Sequence, residues 1–551
     1  MTIPRRVFLA SLLVFLIAFA WIWWNRPQQA DLAAYVPASS LVYLECNNLM
    51  DVADAIAATD SWKAVKPFLG ETKSGWISAG ARKLMGWTGI GPTSGVILAR
   101  AQVAMVMLDL GAREQGETLT LKPEAALLIE THTSRRRIKS TVEELLARFT
   151  EKSYVQPTLN RVMRDGYEIL VWTSADNNRR IVATIDDTVV IVANSERAVT
   201  ACLETRRGQR PNLQTDPELS QMRATLSAAS ALAFGFASSA HTAELLSIGA
   251  PLLFGRAPEG AQFDRLIASS APKILGSAGW TARASSGAIE DHYFFSLKPP
   301  IVARMRPLFQ NIPRSSGLKF VPQDVYSVTI YNFNEPAAAW RSLQTTLSSQ
   351  LDTLSAILMV SVLKSSLLPY GVADPERFLD LVGPELMTAR LKPDALGSVL
   401  IARVRDETHL RELLKNSSSP QDLEAPERRL VVHFQDGYVL MGSEEDVQRC
   451  AQFPAAATTS PKLHSFGSSD PITANIVTYT KDAQRIRKFI SALTRAQGGG
   501  TSTDANKLNQ TIEQMPYSTT ETFMGEQGLD RRTRSAFGQF GAFVPLLFPD
   551  E

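Results

Sequence analysis

The chain has 551 residues, with 57 Lys plus Arg against 55 Asp plus Glu for a net charge of +2, and it is 45% hydrophobic and 20% charged. Three Cys, 30 Pro and 32 Gly in that setting exclude a disulfide scaffold, a collagen-like chain and a wholly disordered one, and the near-neutral balance lacks the basic footprint of a dedicated nucleic-acid binder. At roughly 150 residues per domain, the length sets a prior of two to four domains.

The first element is Val7 to Trp24, 18 consecutive residues without a formal charge, just long enough to cross a hydrocarbon core as a helix. Arg5 and Arg6 precede it and favour a cytoplasmic N-terminus, while Trp21, Trp23 and Trp24 crowd the far end, where indoles prefer the headgroup level. The expectation is a cytoplasmic n-region (1–6), a transmembrane signal anchor (7–24), a linker (25–32) and an extracytoplasmic remainder. A cleaved signal peptide competes with this reading, but the run exits through large aromatics and Arg26, not through the small residues of an A-x-A site. Arg5 to Leu9 also resembles a twin-arginine export signal, so the export route stays open. Later apolar runs, Ala356 to Leu363 and Phe540 to Phe548, are too short to span and read as core helices.

Farther along, Leu41 to Glu45 and Val96 to Leu98 read as strands, and Val142 to Phe149 and Ile486 to Leu493 as amphipathic helices. Gly86, Gly89, Gly91 and Gly95 have neither a G-K-[ST] ending nor a following helix, so they read as turn glycines and not as a phosphate loop. Arg135, Arg136, Arg137 and Lys139 read as a solvated loop ahead of a capping box at Ser140 to Glu143, with contact to an anionic surface as the alternative. Cys46, Cys202 and Cys450 allow at most one pair; none lies in C-x-x-C, and all three read as small buried residues.

A repeat organises the rest. Arg179 to Cys202 (RRIVATIDDTVVIVANSERAVTAC) matches Arg428 to Cys450 (RRLVVHFQDGYVLMGSEEDVQRC), with Val182/Val431, Asp187/Asp436, Val190/Val439, Ser195/Ser443 and Cys202/Cys450 among the identities. Each copy reads as an apolar strand, a turn carrying Asp, a second strand, a capping Ser and a helix with an acidic first turn. Weaker pairs follow in the same order, including Val36-Pro37 with Val321-Pro322 and the stretches from Ala126 and Ser398 and from Ala231 and Thr473. The expected organisation is α+β, with ectodomain module one at 33–313 and module two at 314–551, each a mostly antiparallel sheet with packed helices. The joint is placed at the proline-rich Lys298 to Gly317, and further linkers at Thr205, Lys415 and Ala496.

The single span, the V-P opening before an alternating strand, the hairpin leading into S-E-x-x-V and the closing R-x-S-A-F-G (Arg534 to Gly538) resemble an uncharacterised bacterial family of membrane-anchored extracytoplasmic proteins, a domain-of-unknown-function family. The resemblance implies a periplasmic position on the bacterial cytoplasmic membrane and supplies no site residue. The residues themselves are as reticent. His132, His241, His292, His409, His433 and His464 form no H-E-x-x-H or H-x-H pattern, and there is no G-x-S-x-G elbow. S-x-x-K occurs at Ser316–Lys319 and Ser361–Lys364, without S-D-N or K-T-G partners. Glu143 and Glu144 read as helix-surface carboxylates. No catalytic, cofactor-binding or metal residue is assigned and no cofactor is expected. The expected partners are the lipid bilayer and a protein or envelope polymer, with no nucleic acid. The favoured function is a non-enzymatic binding or structural envelope protein; the alternative is an extracytoplasmic hydrolase whose site is assembled from distant residues.

Overall fold

The computed structural model describes residues 30–68, 101–115, 118–133, 135–254, 270–309, 316–350, 367–393, 398–417, 430–456, 474–496 and 505–547. The expected anchor at Val7–Trp24 lies outside them, as do Gly86 to Gly95, Val96–Leu98, Ala356–Leu363, Ser361–Lys364 and most of the linkers at Lys415 and Ala496. Among the described residues, no helix is long and apolar enough to cross a membrane.

Among the described residues eighteen strands form one sheet, and every pairing in it is antiparallel. In chain order they are β1 (Val42–Cys46), β2 (Gln102–Gln115), β3 (Thr118–Glu130), β4 (Thr158–Arg164), β5 (Tyr167–Thr173), β6 (Arg180–Asp186), β7 (Val189–Ala193), β8 (Ala233–Ala237), β9 (Leu275–Ser285) and β10 (Ala288–Leu297). There follow β11 (Ser327–Asn332), β12 (Val382–Arg390), β13 (Val399–Val404), β14 (Leu430–Gln435), β15 (Tyr438–Ser443), β16 (Ile476–Thr480), β17 (Ser518–Met524) and β18 (Gly528–Ser535). In space they run β4-β5-β6-β7-β3-β2-β1-β8-β9-β10. The order then continues β18-β17-β16-β11-β12-β13-β15-β14.

One expectation changes here: the two halves do not each close a sheet of their own. β10 pairs with β18 from Ile289–Ser535 to Ser296–Gly528, so one sheet runs through the boundary. The physical reason is the cost of an edge. An unpaired strand presents a row of open N–H and C=O groups, and pairing the last strand of one half with the last of the other satisfies both rows.

Strand alternation sorts the side chains. One face carries Tyr43, Val106, Leu128, Phe234 and Phe236 in the first half, and Val328, Ile330, Met387, Ile401 and Val477 in the second. At roughly 1.5–3 kcal/mol per buried large apolar side chain, this face fixes register, since a one-residue slip would turn the whole set toward water. On the other face, the helix Arg135–Ser153 lays Ile138 and Val142 over Ile185 and Val190. In the second half Phe378 and Leu379 of the helix Pro375–Leu381, with Leu410 and Leu414 of Glu407–Ser417, cover Leu400, Ala402, Val439 and Met441. Near the boundary, Ile56, Trp62 and Val65 of the first half pack with Ile486, Phe489 and Phe537 of the second.

The repeated unit takes the same local form twice. β6 and β7 close on the pair Asp186–Val189, β14 and β15 on Gln435–Tyr438, with Asp187 (φ 53°) and Asp436 (φ 50°) in the left-handed conformation that Asp tolerates at tight hairpin turns. Val182 faces Ala193 as Val431 faces Gly442. The Ser195 hydroxyl caps the helix Glu196–Arg206 by accepting from the Ala198 N–H at 3.0 Å, and Ser443 caps Glu444–Ala456 through the Asp446 N–H at 3.3 Å. Cys202 and Cys450 are fully buried in different cores, and all three cysteines are free thiols.

One local expectation is corrected, and two segments gain local detail. Arg135 to Arg137 are not a loop: the helix Arg135–Ser153 already contains them, and Ser140 to Glu143 lie inside it. Arg and Lys are good helix formers, and the apolar stripe Ile138, Val142, Leu146 starts early enough to draw the whole basic run into the helix. The joint at Lys298 is helical, because Pro299 and Pro300 open the helix Pro299–Met305, where a missing N–H costs nothing, and Ile301 and Val302 are buried. The stretch after Thr205 is tied down as well: Leu213 is 1% exposed, and its N–H donates to the Val36 carbonyl at 2.7 Å.

Candidate functional site

On the face opposite Phe294, β10, β18, β17 and β16 open into a cavity of about 350 Å3 lined by Asp291, Tyr293, Phe295, Arg531, Thr533, Ser518, Thr520, Thr480, Asp482, Arg485 and Gln539. The strand register explains the set. Asp291 pairs with Thr533, Tyr293 with Arg531, Thr533 with Thr520 and Thr480 with Ser518, so alternate residues of four adjacent strands point the same way. Asp482 and Arg485 enter from the start of the helix Ala483–Ala496, and Gln539 from the turn ahead of Phe540–Leu547. The volume suits a small solute.

Two carboxyls lose water here, Asp291 almost completely and Asp482 in part. Burial pushes the Asp291 acid up to about 6, against the opposing pull of the Trp280 Nε1–H (2.9 Å to Oδ1), the Gln539 backbone N–H and the Arg485 charge. Burial also raises Asp482, opposed by a hydrogen bond from the Ser518 hydroxyl and by Arg485. Tyr293 is pushed up to about 12, by burial first and by the Asp291 charge second, and its hydroxyl accepts from the Gln539 side-chain amide. Arg485 donates to the Gly538 carbonyl at 2.6 Å. Gly538 has φ +56°, and a Cβ there would stand 2.4 Å from Ile289 Cγ2 and 3.0 Å from Asp291 Oδ2. Only glycine lets this turn close over the acid.

Chemically, two acids, two arginines, hydroxyls, an amide and an aromatic floor can hold a neutral or zwitterionic polar molecule. Among the lining residues there is no His, Cys or Lys; the one serine, Ser518, donates its hydroxyl hydrogen to Asp482. Among the described residues, no group of three or more His, Cys, Asp or Glu is placed to hold a metal ion.

The residues singled out from sequence lie elsewhere and apart from one another. His292 is on β10 but on the far face, with Nε2 2.8 Å from Asp530 Oδ2; burial acts to raise Asp530, yet His292 and Arg532 outweigh it and hold that acid below its ordinary value. His241 contacts the Ser238 hydroxyl at 2.9 Å, His132 lies 3.7 Å from Glu130, His409 binds Asp406 at 2.7 Å, His433 is exposed on the edge strand β14, and His464 is outside the described residues. Ser316 and Lys319 do not form a dyad: the Ser316 hydroxyl meets Glu385 (3.1 Å) and Tyr438 (2.9 Å), while the Lys319 ammonium pairs with Asp436 at 3.0 Å. Glu143 pairs with Arg161 at 3.0 Å, and Lys139 with Glu168 at 2.5 Å, so Lys139 of the basic run joins a surface ion network. What sequence reading missed was the cavity itself; the acidic Glu290-Asp291 interrupting the apolar run of β10 is the local signal that pointed to it.

No family model, curated protein or solved structure matches the chain.

Proposed function

We propose that this chain is a non-enzymatic binding protein of the bacterial envelope, in which two tandem related units, 33–313 and 314–551, share one sheet and hold a small polar ligand in the cavity at their seam. The cavity carries this reading: it is of small-molecule size and its two acids are balanced by two arginines. The relation between the units is supported by strand order, since β6-β7-β3-β2-β1-β8-β9-β10 and β14-β15-β13-β12-β11-β16-β17-β18 run in the same sequence across the sheet. The envelope position rests on the uncharged run Val7 to Trp24 behind Arg5 and Arg6 and on the family resemblance.

The test is a panel of monosaccharides, amino acids and dicarboxylates added to the full chain, with thermal unfolding as the readout. At least one class should raise the midpoint of the wild type and leave Asp291→Asn unmoved; a panel without effect refutes the binding reading. A reporter active only outside the cytoplasm, fused after Glu551, should give signal in the membrane fraction, and silence there refutes the orientation. A second reading, a hydrolase using Asp291 as general acid, is favoured by that acid's raised pKa. It requires turnover of a bound solute that Asp291→Asn abolishes.

A further inference from the structure

A row of threonines crosses the sheet and reaches the cavity at Thr520 and Thr533. Thr388 on β12 pairs with Thr329 on β11, Thr329 with Thr478 on β16, Thr478 with Thr520 on β17, and Thr520 with Thr533 on β18, which in turn pairs with Asp291 on β10. Five threonines on five consecutive strands thus stand directly opposite one another and end at the buried acid. At roughly 4.8 Å per strand step, the row is about 19 Å long. All five are half-buried, not sealed.

Threonine suits any half-exposed strand, so the row needs a reason beyond propensity. The first half supplies a comparison. Its corresponding strands place Met105, Leu44, Gly235 and Trp280 in one cross-strand row that ends at Tyr293, so only the last position carries a hydroxyl. The sheet architecture therefore does not demand hydroxyls there. The hydroxyls are also only partly consumed. Thr329 bonds Thr478 at 3.0 Å and Thr520 bonds Thr533 at 2.9 Å, and each such pair uses one of its two O–H donors, leaving the other donor and several lone pairs available. Beside the row, Tyr331 and Ile476 offer an apolar flank, and Tyr293 and Phe295 floor the cavity.

We infer that the row and the cavity form one elongated site for a linear β-linked glycan, with a terminal sugar in the cavity and successive residues along the threonines. This rests on the binding reading of the cavity given above. A straight polyhydroxylated chain with apolar C–H faces matches a track that alternates donors and acceptors at about one strand spacing beside aromatic and aliphatic surface. The acids, arginine and amide of the cavity are planar groups that can grip vicinal hydroxyls with two bonds at a time.

The experiment is calorimetric titration of the full chain with glucose, cellobiose, cellotriose, cellotetraose and cellopentaose, with maltotetraose, whose α-linked chain coils, as the geometric control. Affinity should rise at least tenfold from glucose to cellotetraose and level off beyond it, and maltotetraose should bind no better than glucose. The variant Thr388→Val/Thr329→Val/Thr478→Val, all three outside the cavity lining and checked for its fold by circular dichroism, should lose most of that gain and keep glucose binding; the wild-type length series stands as a test without any variant. Glucose binding without gain for longer chains overturns the track and leaves the cavity reading intact. Absence of binding by every sugar overturns the ligand class, while a response to amino acids or dicarboxylates that Asp291→Asn removes would keep the cavity as a binding site.

Discussion

Replacing Asp291 by Asn tests the central feature of the site through stability. In the unfolded chain an aspartate titrates near 3.9, whereas burial holds Asp291 at about 6 in the folded protein. The folded state therefore binds that proton more tightly than the unfolded state, and stability must fall as pH rises from about 4 to about 6, then stay level. A difference of about two units corresponds to about 3 kcal/mol as an upper figure. Asn cannot ionise, and its side-chain carbonyl can still accept from Trp280, so the variant should lose this pH dependence and be more stable than the wild type at pH 7 relative to pH 4. The assay is urea unfolding of both proteins at pH 4, 5, 6, 7 and 8. Asp482, also raised by burial, acts in the same direction, so Asp291→Asn should flatten part of the slope and Asp291→Asn/Asp482→Asn more of it. Identical slopes for wild type and both variants between pH 4 and 7 would refute the desolvation argument.

Three further outcomes follow from the same geometry. Gly538→Ala, forced into φ +56° with its Cβ against Ile289 and Asp291, should cost about 3 kcal/mol in thermal or urea unfolding; a loss under 0.5 kcal/mol would show that the turn is looser than described. Burial pushes the Cys46 thiol up to about 11 and those of Cys202 and Cys450 up to about 12, so the native chain should react slowly with a thiol reagent at pH 8. In denaturant without reductant all three should titrate, and fewer than three would reveal a disulfide. Ser195→Ala and Ser443→Ala should each lose about 1 kcal/mol of helix capping, since each hydroxyl accepts from a first-turn N–H and donates to a carboxylate, Glu124 for Ser195 and Asp446 for Ser443; stabilities unchanged in both would remove the caps from the account.

The hairpin units were legible in sequence because everything that forms them is local: alternating apolar residues, an Asp that tolerates positive φ, and a Ser one step ahead of an acidic first turn. The helix at Arg135 was misplaced at its start because a capping box is a local signal that the longer stripe Ile138, Val142, Leu146 overrides by tertiary packing. The continuity of the sheet was not legible, since β10 and β18 come from distant segments whose pairing leaves no local spacing to read. The closing motif Arg534 to Gly538 was visible, but its meaning depends on partners far away: Arg534 pairs with Glu290 at 2.8 Å, and Gly538 roofs Asp291. A site whose acids come from β10 and from the start of Ala483–Ala496 leaves no spacing to read.

The position of the cavity follows from how the two halves meet. Joining β10 to β18 settles the backbone, yet the helices above that seam come from both halves, with Ile56, Trp62 and Val65 on one side and Ile486, Phe489 and Phe537 on the other. That apolar cover gathers around Ala288 and Ala536, at the end of the β10–β18 pair where β10 begins and β18 finishes. Farther along the same face the strands carry Asp291, Tyr293, Thr533 and Arg531 in place of apolar residues, and there the space stays open. An acid at such a seam is desolvated by elements from both halves of the chain. A ligand that supplied hydrogen bonds to Asp291 and Asp482 would compensate that desolvation in the folded state alone, and so would tighten the junction between the halves by linkage. Ligand-induced stabilisation should therefore be largest at neutral pH, where both acids most need partners, and should shrink toward pH 4, where protonation already relieves them.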